Sequence, residues 1–283
     1  LLLEALKSLI VPTPRFLRTM GYLSEVIAIE SRYHRRKKDW HPHIEACHKA
    51  ILRAVDRTLQ KTPDGKGRKI VILGGALLYD IPLDRLTEAF EDVILVDLFH
   101  LPWIMRKLRC YDNVRFMMAD LTGCLQDYHH VIHAARLGEH IAMPQKKPQL
   151  SLLEDQNEVD LILSVNLLSQ LPAVPLSYAE RKLGEKSIIP EDDFDAFADH
   201  LLNTHLEWLA GQKADICLIS DLEKIHYDRE GKALTREIMI EDRLLYQHGF
   251  QLDSEWFWDI APLGEVSRKF SQSRKVVSVQ KTI

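Results

Sequence analysis

The sequence predicts a three-layer α/β protein with a mostly parallel, seven-stranded sheet and an antiparallel C-terminal edge. Three observations carry that expectation. Five short apolar runs follow one another at residues 69–73, 93–96, 114–118, 159–164 and 214–219. The segments between them are long enough to return as helices. The tail then holds two more extended stretches, 250–258 and 275–280, joined by a turn around Pro262 and Gly264 and a polar stretch at 271–273. Near-continuous apolar strands linked by helical crossovers require a parallel sheet covered on both faces, and a hairpin-like tail adds antiparallel strands to its side.

The clearest crossover helix spans 191–209, where Phe194, Phe197, Ala198, Leu201, Leu202, Leu206 and Leu209 form one broad apolar side. Glu191, Asp192 and Asp193 occupy its first turn, where the helix dipole favours negative charge. A last helix is expected over 238–246. The first 67 residues contain no convincing strand and are expected to form a helical extension or lid, with the α/β domain over 68–283. One helix is expected to end at residues 40–43, around Pro42, and a second to run from there to Leu59. The turn at 62–67, with Pro63, Gly65 and Gly67, closes the extension.

Composition bounds the function. The chain has 283 residues, 46% hydrophobic and 28% charged, with a net charge of −4. A soluble globular protein fits, and neither a broad nucleic-acid footprint nor a polybasic membrane anchor does. Cys47, Cys110, Cys124 and Cys217 lie far apart with no CxxC, as expected for reduced thiols in the cytoplasm. Residues 1–7 lack the pattern of a secretory leader, and no stretch is long and apolar enough to span a membrane. No metal is expected: His41, His43 and Cys47, or His129, His130 and His133, lack a complete ligand spacing.

Polar residues collect where the strands end. Gly74 and Gly75 follow the first strand, Asp97 ends the second, Asp120 follows the third and Asn166 follows the fourth. In an open α/β sheet, ligands sit outside these carboxyl ends. Glycines let the backbone approach a ligand, a carboxylate can take two ribose hydroxyls, and Asp120 is placed to accept from an adenine-like amino group. A nicotinamide dinucleotide fits less well. G-x-G-x-x-G is absent, and Asp80 stands where a pyrophosphate would pass; no Walker A loop occurs either.

These stretches, residues 70–76, 95–98, 113–121 and 160–168, resemble the Rossmann-like (class I) S-adenosylmethionine-dependent methyltransferases over about three quarters of the chain. The resemblance implies that Gly74, Gly75 and Ala76 line the methionine part, that Asp97 with Leu98 holds the ribose, that Asp120 with Leu121 borders the adenine, and that Asn166 with Leu167 borders the methyl donor. Ala76 departs from the family's spaced glycine, and Leu167 and Leu168 replace the proline-aromatic pair of members that methylate amino groups. Asn166 and Gln170 are the candidates for catalytic contact. The implied activity is methyl transfer to a small-molecule acceptor. A non-catalytic adenosine-ligand-binding protein and another S-adenosylmethionine-using transferase are the alternatives. Six Lys or Arg against three Asp or Glu in residues 30–49 further suggest a lid in which Arg32 and Arg36 meet an anionic acceptor. Composition leaves the oligomeric state open.

Overall fold

A computed structural model of the chain describes residues 10–148, 158–184 and 187–283. Its opening helices are α1 (Arg15–Met20) and α2 (Tyr22–Leu59). β1 (Gly67–Leu73), α3 (Leu83–Ala89), β2 (Phe90–Asp97), α4 (Pro102–Lys107), β3 (Val114–Met118), α5 (Leu125–Arg136) and β4 (Val159–Val165) follow. The second half contains α6 (Gln170–Leu183), α7 (Glu191–Ala210), β5 (Asp215–Tyr227), β6 (Ala233–Ile238), α8 (Asp242–Gln247), β7 (Gln251–Ala261) and β8 (Ser271–Lys281). The leader reading at residues 1–7 lies outside the described residues.

The strand order is β3-β2-β1-β4-β5-β8-β7, with β1 to β5 parallel and β8 antiparallel to both β5 and β7. This is the Rossmann-like α/β sheet that the sequence predicts, and the order reverses between β1 and β4. An eighth strand, β6, pairs with the outer half of β5. It escapes sequence reading because all six of its residues are exposed, so no buried face imposes a period. β5 likewise runs past the expected end at Asp221, through an irregularity in its pairing with β8. The last helix begins four residues later than expected, at Asp242.

Side chains alternate across the sheet and divide the core in two. Val71, Leu73, Ile94, Val96, Ile162, Ile216 and Leu218 face α5, α6 and α7. Ile70, Ile72, Val93, Leu95, Leu161, Leu163, Cys217 and Ile219 face the other way. Helix α2 contributes to both sides: Leu23 and Ile27 join the first cluster, and Cys47, Ala50, Ile51, Ala54 and Val55 the second. A 38-residue helix is about 57 Å long, against roughly 23 Å for a seven-residue strand, so α2 exceeds any one face of the sheet. It crosses over the carboxyl ends of the strands and descends the far side, where Thr58 bonds Asp215 at the start of β5 at 2.9 Å.

The break in α2 lies at Arg36 (φ −117°, ψ 21°), earlier in the chain than the expected interruption at residues 40–43. Pro42 stays inside the helix; its ring removes one hydrogen bond and crowds the preceding turn, which moves the distortion toward the N-terminus. Trp40 and Arg36 then fix the crossing. The Trp40 indole N–H donates to the Ile260 carbonyl at 3.0 Å, and Arg36 Nε donates to Glu265 Oε2 at 2.7 Å. Arg35 shares the same carboxylate at 2.6 Å.

Because α2 supplies fully buried side chains to the sheet, Ile51→Ala is expected to cost about 2–5 kcal/mol through lost burial and a residual cavity. Urea unfolding followed by far-UV circular dichroism and by tryptophan fluorescence checks this; both signals should shift to the same lower midpoint.

Candidate functional site

The carboxyl edge of the sheet lies beneath the first half of α2. Leaving β1, the chain turns at Gly74, whose φ of +80° suits glycine; a Cβ there would lie 3.0 Å from the Leu167 Cβ. The β1 and β4 loops therefore meet at a glycine, where a larger residue would have to hold a left-handed backbone and press on Leu167. Two non-glycine residues adopt left-handed backbone, Leu78 (φ +59°) and Asn166 (φ +50°), and they flank this meeting point. Such conformations cost about 1–2 kcal/mol in ordinary residues, less in asparagine, and cluster where a loop has a task.

Asp97, at the end of β2, accepts hydrogen bonds from backbone N–H groups: that of Leu98 at 2.7 Å and that of Ala76. Burial pushes its carboxyl up to about 6, and these two bonds oppose the shift. Ala76, the departure from the spaced-glycine pattern, thus ties the loop after β1 to the carboxylate through its main chain, a contact that needs no second glycine.

Asp120 has a structural task. Its Oδ1 accepts from the Thr122 amide at 2.9 Å and the Thr122 hydroxyl at 2.7 Å, and its Oδ2 accepts from the Leu125 amide at 2.9 Å. It therefore closes the turn that starts α5 and holds Leu121 in the core. Tyr22, in the first turn of α2, comes down beside both carboxylates. Burial, and then the charges of Asp120 and Asp97 among its neighbours, push its phenol well above the usual value. Farther along α2, Tyr33 stacks on Tyr79 of the β1 loop at 3.6 Å between ring centres, and Glu30 accepts from the Trp103 indole at 3.0 Å.

Asn166 Nδ2 donates to Asp80 Oδ2 at 2.7 Å, while its buried Oδ1 has no hydrogen-bond partner. Behind this pair sits His43, 1% exposed, stacked on Trp258 at 4.0 Å and accepting from the Trp256 indole N–H at Nδ1, 3.0 Å away. That bond uses the Nδ1 lone pair, so neutral His43 carries its proton on Nε2, which lies 3.3 Å from Asn166 Nδ2, 3.6 Å from Cys47 Sγ and 3.7 Å from Asp80 Oδ1. Burial lowers the His43 pKa and raises the Cys47 thiol well above its ordinary value. His43, Cys47 and Asp80 lie close enough together to enclose a cation. Their protonation suits hydrogen bonding instead, because a metal needs the Nε2 lone pair and a thiolate.

Gln170 Nε2 donates to Ser169 Oγ at 3.2 Å, and its side chain borders a recess of about 380 Å³ shared with Ser24, Glu25 and Arg181. His41 is exposed, 3.9 Å from Glu45. Arg35 and Arg36 are engaged by Glu265, a partner 230 and 229 residues away that local charge counting had no means of finding. Sequence reading also missed Tyr22 as a neighbour of the site, and the packing of His43 against the Trp256–Trp258 pair. The tryptophans alternate as an edge strand should, and only the passage of α2 over the sheet explains what covers them.

No protein-family model matches the chain, and no curated protein does. Among solved structures, the chain is similar to a 1,6-didemethyltoxoflavin-N1-methyltransferase from Burkholderia thailandensis with bound S-adenosylhomocysteine. Identity is 14%, coverage is 92% of this chain and 90% of that one, and the TM-score is 0.39. It is also similar to the N-methyltransferase NodS from Bradyrhizobium japonicum in complex with S-adenosylhomocysteine, at 8% identity, coverage of 83% and 89%, and a TM-score of 0.34. A third is the DhpI complex with the same ligand, at 10% identity, coverage of 92% and 95%, and a TM-score of 0.37. At such scores the superpositions are loose, and the fold assignment stands on strand order and register.

The Asp97 environment has a pH signature. Its folded pKa, about 6, exceeds its ordinary 3.8, so the folded chain binds this proton more tightly than the unfolded chain. The stabilisation is complete below about pH 4 and is lost as pH rises through about 6. Asp97→Asn should lack this component, so the difference in urea midpoint between wild type and variant should change across that window and level off above it. An unchanging difference would count against a titrating, half-buried Asp97.

Proposed function

We propose that the carboxyl edge binds S-adenosylmethionine and that the protein transfers the bound methyl group to a small-molecule acceptor. The observation that carries this reading is Asp97, a largely enclosed carboxylate held by the amides of Ala76 and Leu98, beside a glycine turn and below Tyr22. A carboxylate at the end of the second strand has the chemistry to accept from both ribose hydroxyls, and the orphaned Asn166 Oδ1 offers a further acceptor at the end of the fourth strand.

The residues fit the cofactor. Gly74, Gly75 and Ala76 would border its methionine portion, Asp97 and Leu98 its ribose, Asp120 and Leu121 its adenine, and Asn166 and Leu167 its methyl group. Asp120 keeps one lone pair, on Oδ2, beyond the three bonds that cap α5, so the capping task leaves room for an amino group. Asp80, oriented by Asn166 and facing the proton of His43, supplies negative charge for a cationic ligand, where it would repel a pyrophosphate. When bound, S-adenosylmethionine supplies a methyl group activated by its sulfonium. What remains for the chain is alignment and exclusion of water, and α2 provides a roof for both. His43 serves this arrangement as a donor rather than a base, since its Nδ1 already accepts from Trp256 and its Nε2 holds the proton.

Calorimetry with S-adenosylhomocysteine tests the reading. The wild-type protein should bind it at one site, and Asp97→Ala should weaken binding about 10- to 150-fold, the worth of a charge-assisted contact of about 1.5–3 kcal/mol. Affinity should also fall as pH drops below about 6, as Asp97 takes up its proton. Absence of binding at millimolar ligand, or equal affinity in the variant, would overturn the proposal.

A further inference from the structure

Where α2 crosses the strand ends, an arginine of β8 meets a carboxylate that is already in use, and an arginine of α2 adds its charge nearby. Arg274 of β8 places Nη1 3.4 Å from Asp221 Oδ2, with the two side chains only 14% and 7% exposed. The other oxygen of Asp221 accepts the hydroxyl of Ser169, which in turn receives Gln170 Nε2. Arg32, one turn before the break in α2, is near enough for its charge to oppose that of Arg274. The Nε atoms of both guanidinium groups are buried without a hydrogen-bond partner.

The neighbouring charges do not remove this excess. Arg35 and Arg36 take Glu265. Glu237 acts on Arg274 from β6, but its carboxylate pairs with Lys224 at 3.0 Å, and Glu223 pairs with Arg236 at 3.2 Å. Among the described residues Arg32 has no carboxylate partner. Two guanidinium groups and one carboxylate leave one positive charge, with both buried Nε donors unsatisfied. Such a grouping is costly unless an anion completes it.

The position gives the anion a role. Asp221 stands at the end of the parallel part of β5, and Ser169 is three residues beyond Asn166, so the arginines adjoin the loop that would border the transferred methyl. We propose that Arg32 and Arg274 bind an oxyanion of the methyl acceptor, a carboxylate or a phosphoryl group, and hold the acceptor beside Asn166 and Ser169. This rests on the cofactor reading above and narrows its acceptor to an organic anion. Guanidinium forks match both oxyanions, and their planar donors give orientation as well as attraction.

The test uses the full chain saturated with S-adenosylhomocysteine and titrated with benzoate, phenylphosphonate and neutral benzamide, followed by NMR. At least one of the two anions should bind, and which one it is separates a carboxylate site from a phosphoryl site. Arg32→Gln and Arg274→Gln should each weaken it about 10-fold or more, benzamide should show no dependence on either arginine, and S-adenosylhomocysteine affinity should stay within about twofold. Arg32 lies on a half-exposed helix position, so its variant remains readable if loss of the more buried Arg274 disturbs folding. Failure of both anions to bind at about 100 mM, or unchanged affinity in Arg32→Gln, would overturn the proposal. If the wild type failed to bind S-adenosylhomocysteine, the cofactor reading would fall separately, and the same titration without it would still decide whether the arginines form an anion site.

Discussion

The structure depends on one geometric constraint: a single long helix buries its two halves on opposite faces of one sheet. Leu23 and Ile27 belong to one core, Ile51 and Val55 to the other, and the chain between them has to pass over the strand ends. The carboxyl edge, which in an open α/β sheet is where ligands meet the protein, is thereby roofed. The break at Arg36 allows the change of direction, and Glu265, only 8% exposed in its side chain, anchors it by taking both Arg35 and Arg36. Without that crossing, Tyr22 would not approach Asp97 and Asp120, and Arg32 would not approach Arg274.

The same crossing sorts the polar residues into two neighbouring groups. Toward β2 and β3, Asp97 and Asp120 are held by backbone amides, which fixes carboxylates without neutralising them. Toward β5 and β8, Asp221 pairs with Arg274, whose charge Arg32 opposes. Between the groups lie Asp80 and Asn166, steadied by a neutral histidine wedged between two tryptophans. Acceptors thus face the nucleoside end of the proposed ligand and donors the far end, with the strained loops after β1 and β4 in the middle. This polarity suits two molecules meeting above the sheet, one presenting hydroxyl and amino groups and the other negative charge.

Much of the frame was legible in the sequence because its causes are local. Apolar runs of strand length, the acidic first turn at Glu191–Asp193 and the glycines after β1 act within a few residues, and each element formed where those features placed it. Asp97 and Asn166 were legible for the same reason, as polar residues terminating buried strands. At Asp120 a cap over the turn at residues 121–123 was legible too, since a short carboxylate lies two residues before Thr122; its reach to the Leu125 amide was not. Features that depend on distant pairing were not legible. The exposed β6 has no period to read, the break in α2 reflects strain passed backward from Pro42, and His43 acquires its tautomer from a tryptophan 213 residues away. The basic cluster at residues 32–38 shows the limit well: composition marks it as unusual, yet only the fold separates Arg35 and Arg36, satisfied by Glu265, from Arg32, which turns inward.

A crystal structure of the protein with S-adenosylhomocysteine tests the central claim most directly, because it reads position as well as binding. The account predicts electron density over the carboxyl ends of β1, β2 and β4, with the ribose hydroxyls within hydrogen-bonding distance of Asp97 and the adenine beneath the first turn of α2, near Tyr22. Density at another place, or a bound ligand whose ribose makes no contact with Asp97, would contradict it.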